Sequence, residues 1–154
     1  GTLRAPMASS ADSPFHLDPR VCRLIDEIER HAIVSLDEGG RIVGWNRGAA
    51  RLFGMSADTA LGRPGEILFT VEDRAADVPA LELERARREG YCPDERWHVR
   101  GDGTRFYASG STSAVRDDGR VCGFVKIAQD LTALMELQEA LRVADRRKDE
   151  FLAM

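Results

Sequence analysis

Apolar and polar residues divide the chain into short, well-punctuated segments. Ala32 to Asp37 and Arg41 to Trp45 are two β-favouring runs separated by Asp37-Glu38-Gly39-Gly40. The glycines are free to adopt positive φ, so the spacing predicts a hairpin. Ala49, Ala50, Leu52 and Phe53 then form the apolar side of a short helix stopped by Gly54. Ser56, with Asp58 close behind, caps another single turn, and Gly62-Arg63-Pro64-Gly65 breaks the chain again. Ile67, Leu68 and Phe69 plug into the core. Thr70-Val71-Glu72-Asp73 reads as a capping box with aspartate in place of glutamate. The helix it opens carries Val78, Leu81, Leu83 and Ala86, breaks or kinks around Pro79, and ends at Gly90.

Three further strands are predicted: Glu95 to Arg100, Arg105 to Ser113 and Val121 to Gln129, joined by Gly101-Asp102-Gly103 and Asp117-Asp118-Gly119. Strands at both ends with helices between them argue for an α+β fold, a five-stranded antiparallel sheet with short helices on one face. Helices flank this core. Asp18-Pro19 starts one, with Val21, Leu24, Ile25 and Ile28 on one face, ending near Arg30 or His31. Asp130 and Thr132, both good N-cap residues, open the other. Its apolar positions, Leu134, Leu137, Leu141, Ala144 and Phe151, follow the 3-4 spacing of a coiled-coil seam, interrupted by Lys148. Glu139 with Arg142 and Arg146 with Glu150 are pairs at helical neighbour spacing. Leu24, Ile28, Leu134, Leu137 and Leu141 are therefore the expected contacts of a parallel homodimer. The alternative is a helix folded back on its own sheet, burying Leu131, Leu134 and Met135. The division is 1–17 a disordered leader, 18–31 a flanking helix, 32–130 the core and 131–154 a signalling helix.

Composition narrows the classes. A chain of 154 residues suits one domain of ordinary size with extensions. No apolar run approaches the roughly 20 residues that span a bilayer, and the first residues lack the order of a signal peptide. A net charge of -4 with interspersed signs does not suggest nucleic acid. Cys22, Cys92 and Cys122 are scattered and odd in number, which reads as free thiols in a reducing cytoplasm. The three histidines and three cysteines never fall at zinc-ligand spacing, so no metal site is expected. No Gly-x-Ser-x-Gly, P-loop or dinucleotide-binding pattern occurs, and Ser109 to Ser113 is a polar packing stretch before it is a nucleophile. An enzyme is not expected.

Four motifs carry a resemblance. Gly44-Trp45-Asn46-Arg47-Gly48-Ala49-Ala50-Arg51-Leu52-Phe53-Gly54 resembles the Asn-x-x-Ala-x-x-Leu-Phe-Gly signature of PAS domains. Ile67 to Arg74 resembles their mid-domain helix entry, Arg100-Gly101-Asp102-Gly103-Thr104-Arg105-Phe106 their basic-x-Asp-Gly hairpin, and Asp130-Leu131-Thr132 their C-terminal Asp-x-Thr junction. The order is right over roughly residues 20 to 132. Arg147-Lys148-Asp149-Glu150-Phe151-Leu152-Ala153-Met154 resembles the opening of a histidine-kinase dimerisation helix. That family's phosphoacceptor histidine and ATP-binding segment are not in this chain, so it is expected to act as a cytoplasmic sensory input without kinase activity of its own. The resemblance implies kinase domains downstream in the full protein and a response regulator as their partner.

The resemblance also bears on cofactors. Haem-binding members use a histidine on the long central helix, and residues 72–90 contain none; His16, His31 and His98 lie elsewhere. Flavin photosensors of the family need a cysteine where this chain has Gly65 to Phe69. Haem and flavin are thus disfavoured, and an unidentified small organic ligand is the remaining prospect. The family cavity is lined by the last three strands and the long helix, which would put Phe124, Lys126 and Ala128 on the cavity side of the last strand, with Phe69, Leu81, Trp97 and Phe106 as further walls. A buried lysine demands a partner. Lys126 either anchors a ligand carboxylate or joins an ion pair with Glu95, Asp94 or a helix acid such as Glu72; the ion pair is preferred. Asp130 and Thr132 would relay the signal from sheet to helix. The competing function is an interaction and dimerisation module with a filled core.

Overall fold

The structure, a computed structural model, describes residues 18–154. The leader expected over 1–17, with His16 inside it, lies outside the described residues. Five strands, β1 (Ala32–Asp37), β2 (Ile42–Trp45), β3 (Tyr91–Val99), β4 (Arg105–Asp117) and β5 (Arg120–Asp130), form one antiparallel sheet in the order β2-β1-β5-β4-β3. The first and last strands are adjacent at its centre. Register across them pairs Val34 with Lys126, and Lys126 with Thr112 of β4 on its other side. Between β2 and β3 run helices α2 (Arg47–Phe53), α3 (Ala57–Ala60), a 3-10 turn (Gly65–Leu68), α4 (Val71–Ala75) and α5 (Val78–Glu89). They cover the face that carries Val34, Ile42, Phe106 and Phe124, and Phe53 of α2 packs down onto it, all fully buried. This is the predicted α+β architecture.

Most punctuation falls where side-chain chemistry places it. Asn46, Ser56 and Thr70 each accept a hydrogen bond from the backbone N–H three residues on, and Gly54 and Gly90 end α2 and α5 in the left-handed conformation. Gly110 has a different reason to be glycine. A β-carbon there would lie 1.8 Å from the Ile127 carbonyl oxygen of β5, so no other residue allows the two strands to approach this closely.

Several boundaries differ from the sequence reading, among them the end of β4, which runs to Asp117 rather than Ser113. The central helix breaks at Ala76 and Asp77 rather than at Pro79, and Asp77 takes φ 57. Pro79 then sits in the first turn of α5, where its missing N–H leaves no helical bond unmade. Strand β3 begins at Tyr91, four residues ahead of the predicted Glu95, because its ladder with β4 already starts at the Tyr91–Ser113 pair. Flanking helix α1 (Pro19–Asp26) stops short of Arg30.

The C-terminal helix α6 (Thr132–Leu152) leaves the sheet after its first turn. It does not fold back along the domain: Leu131 and Met135 are half-buried, but Leu134 is exposed.

Candidate functional site

At the β3–β4–β5 end of the inner face, charged residues occupy the core. Lys126 on β5 places its Nζ 2.7 Å from Glu82 Oε1 on α5 and 2.5 Å from Asp94 Oδ2 on β3. It also donates to Thr112 Oγ1 at 3.3 Å, and Thr112 donates onward to Glu82 Oε1 at 2.5 Å. His98, two turns of the pleat from Asp94, meets Asp94 Oδ2 through Nε2 and the Leu68 carbonyl through Nδ1, both at 2.8 Å. Arg96 Nε donates to Asp94 Oδ1 at 2.5 Å, and its Nη1 lies 3.5 Å from Asp73. Lys126, Glu82, Asp94, His98 and Thr112 are all buried.

Burial acts to push the Asp94 carboxyl up, but the hydrogen bond from His98 and the charge of Lys126 outweigh it and hold the group well below the usual carboxylate range. Asp94 is therefore an acceptor at both oxygens. Both His98 ring nitrogens lie against oxygen atoms, Asp94 Oδ2 and the Leu68 carbonyl. In the ion-pair network Glu82, Asp94 and Asp73 stand opposite Lys126 and Arg96. Aromatic rings wall the cluster, with Phe69 4.9 Å from the His98 ring and 5.0 Å from Lys126 Nζ.

A cavity of about 190 Å³ adjoins the cluster. Leu36, Gly39 and Gly40 of the β1–β2 hairpin form one wall, Pro64 to Phe69 another, and Pro79, Ala80 and Leu83 of α5 the third, with Glu82 and Lys126 at the polar end. The lining is not that of the three last strands, as the family resemblance implies; Lys126 is their single contribution. Of the predicted wall residues, Phe69 and Lys126 reach this space. Phe106, Phe124 and Ala128 are buried in the apolar core beside it. Leu81 and Trp97 are corrections, being 56 % and 42 % exposed. Leu81 lies on the solvent side of α5. Trp97 lies on the outer side of β3 and stacks edge-on against Tyr107 at 5.5 Å, because the strand turns Cys92, Asp94 and His98 inward.

The ion-pair alternative for Lys126 holds, with Asp94 among its partners, and its ammonium is already paired with two carboxylates. Glu72 and Glu95 do not take part: Glu72 pairs with Arg105, and Glu95 accepts from Ser109. Glu82, His98 and Thr112 escaped the sequence reading. Glu82 had a signal, since it stands four residues after Val78 and four before Ala86 and so shares their buried face.

At the strand-to-helix junction, neither predicted cap occupies the cap position, which falls to Leu131. Asp130 Oδ1 instead accepts from the N–H of Thr132 at 2.9 Å and from its hydroxyl at 2.5 Å. Thr132 Oγ1 in turn accepts from the Tyr107 N–H of β4 at 2.9 Å, and Arg100 reaches Asp130 Oδ2 at 3.1 Å. Two side chains thus tie the start of α6 to the β3–β4 hairpin.

With this geometry in place, comparison with known proteins is informative. The chain belongs to the PAS domain family, whose profile matches residues 30–133. It is similar to Two-component system protein A of Emericella nidulans, 37 % identical over 134 residues that make up 84 % of this chain and 20 % of that protein. The chain thus spans about a fifth of the length of that curated relative. Among solved structures it resembles a PAS domain from Colwellia psychrerythraea, with a TM-score of 0.68 and 23 % identity over 74 % of this chain and 96 % of the other. An RNA-binding light-oxygen-voltage receptor matches 95 % of this chain and 41 % of its own, with a TM-score of 0.65 and 22 % identity. These two structures establish fold alone, and with an RNA-binding receptor among them the expectation against nucleic acid rests only on charge pattern. Among the described residues, no helix is long and apolar enough to cross a membrane.

Proposed function

We propose that this PAS domain is the sensory input of a two-component histidine kinase, taking a small molecule into the cavity beside Glu82 and Lys126 and passing its occupancy to α6. The observation that carries the reading is connectivity. Lys126, at the polar end of the cavity, lies on the same strand as Asp130, whose carboxylate holds the first residue of α6. A displacement of β5 by an occupant is therefore delivered to the helix within a few residues. The similarity to a two-component system protein supports the context. In this reading the domain performs no chemistry, and a homodimer forms through the exposed leucines of α1 and α6.

The second reading is a dimerisation module with no ligand, and the internally paired Lys126 favours it. The open cavity next to that pair favours the first. Native mass spectrometry of protein released gently from its source decides between them: a retained organic molecule is expected. Protein that is empty from every preparation, and a longer kinase whose signalling is unchanged by Leu83→Trp filling the cavity, would overturn the sensory reading.

A further inference from the structure

Among the described residues, Glu82 Oε2 is the single buried side-chain nitrogen or oxygen without a hydrogen-bond partner. Its sister oxygen is saturated, accepting from both Lys126 and Thr112. Glu82 is 5 % exposed and lines the cavity. A buried carboxylate oxygen left without a donor forfeits a bond that charged acceptors make strongly. Something that enters this cavity should supply that donor.

The lining decides which donor. An anionic ligand would meet the Glu82 carboxylate directly, and a cationic one would have to shed its hydration shell in an otherwise apolar space where Lys126 already neutralises Glu82. The rest of the lining, Leu36, Pro64, Phe69, Pro79 and Leu83 above all, is apolar. The volume of about 190 Å³ is of the order of the roughly 150 Å³ engineered cavity that accepts benzene. Resting on the sensory reading above, we infer that the cavity selects a small uncharged molecule with an apolar body and one hydroxyl donor directed at Glu82 Oε2. Lys126 is not the ligand anchor. It fixes the Glu82 rotamer, so that one oxygen is spent on the protein and the other is presented to the guest.

Three probes of one size separate the chemistry: cyclohexanol, which donates without charge; cyclohexanone, which only accepts; and cyclohexylamine, which donates as a cation. Each is titrated into the 154-residue chain while the amide resonances of Leu36, Phe69, Glu82 and Leu83 are followed by NMR. Cyclohexanol should bind saturably and at least tenfold more tightly than either of the others. Glu82→Gln, which presents an amide N–H₂ toward the cavity in place of Oε2, should shift the preference at least tenfold toward cyclohexanone, and Leu83→Trp should abolish binding of all three. If cyclohexanone or cyclohexylamine matches cyclohexanol in the wild-type protein, the donor inference is overturned while ligand sensing stands. If none of the three binds, an ordered water satisfies Glu82 and the inference falls. If Leu83→Trp then also raises the melting temperature, the space is a packing void and the sensory reading falls with it.

Discussion

Lys126 is 2 % exposed and Leu141 is 62 % exposed, and the two residues mark regions that depart from ordinary burial in opposite directions. The inner face of the sheet takes in a lysine, two carboxylates and a histidine. The C-terminal helix shows Leu134, Leu137, Leu141, Phe151 and Leu152 to solvent and buries none of its residues. Each departure has a cost, and each is offset by a different kind of partner. The interior charges find theirs within the chain, at distances of 2.5 to 2.8 Å. No described residue buries the exposed leucines, and at coiled-coil spacing the homodimer proposed above would cover them with a second copy of the same helix. Self-sufficiency in one region and dependence in the other is the arrangement that the proposed sensory reading requires.

The contrast is most directly broken at Lys126. Lys126→Met removes the cation shared by Glu82 and Asp94 and leaves the buried Glu82 carboxylate with no cation, while Asp94 keeps Arg96; losing one partner costs about 3–5 kcal/mol in comparable buried pairs. Urea denaturation measures it. The same variant sharpens the role of Asp94. The folded-state pKa of Asp94 lies below the ordinary unfolded value of about 3.9, so its contribution is complete above that pH and is lost as pH falls through the acid range below it. Stability of the wild-type protein should therefore drop between about pH 5 and pH 2, and the drop should be shallower in Lys126→Met.

The junction between the regions comes next. Asp130→Ala removes the acceptor of the Thr132 N–H and hydroxyl, a loss comparable to that of a helix cap at about 0.5–2 kcal/mol. The fold should survive, and in a longer kinase signal and autophosphorylation should uncouple; regulation that persists unchanged counts against a relay through this residue. The smallest effect on the isolated fold belongs to α6. Replacing Leu134, Leu137 and Leu141 together by serine should alter monomer stability by less than about 0.5 kcal/mol per site. Light scattering should nevertheless show the dimer lost, and a wild-type protein that is monomeric at high concentration would end the comparison.

Local signals were legible because they act over a few residues. The caps at Asn46, Ser56 and Thr70, the glycine stops and the hairpin turns could all be read from neighbouring residues. Alternation on β5 set Phe124, Lys126 and Ala128 on one face, the family resemblance made that face the inner one, and all three are buried. On β3 the large aromatic Trp97 drew the inward assignment, whereas the strand spends its inner positions on Asp94 and His98, whose partners lie on other elements. Burial of a charge is legible only with its partners: Asp94 was among those expected for Lys126, whereas Glu82 is 44 residues away on a helix. The cavity was illegible for a related reason: its walls come from a hairpin turn, a 3-10 turn and α5, three segments that only the tertiary fold brings together.

Asn46 has one more consequence. Its Oδ1 accepts from Ile33 and Ala49, and its Nδ2 lies within hydrogen-bond distance of the carbonyls of Ile25, Ile28 and His31. One amide group therefore clasps the end of α1, the first residues of β1 and the start of α2. Under the sensory reading proposed above, a twist applied to α1 would pass through this amide to β1, the neighbour of β5, and the domain would receive torque at one end as well as send it from the other.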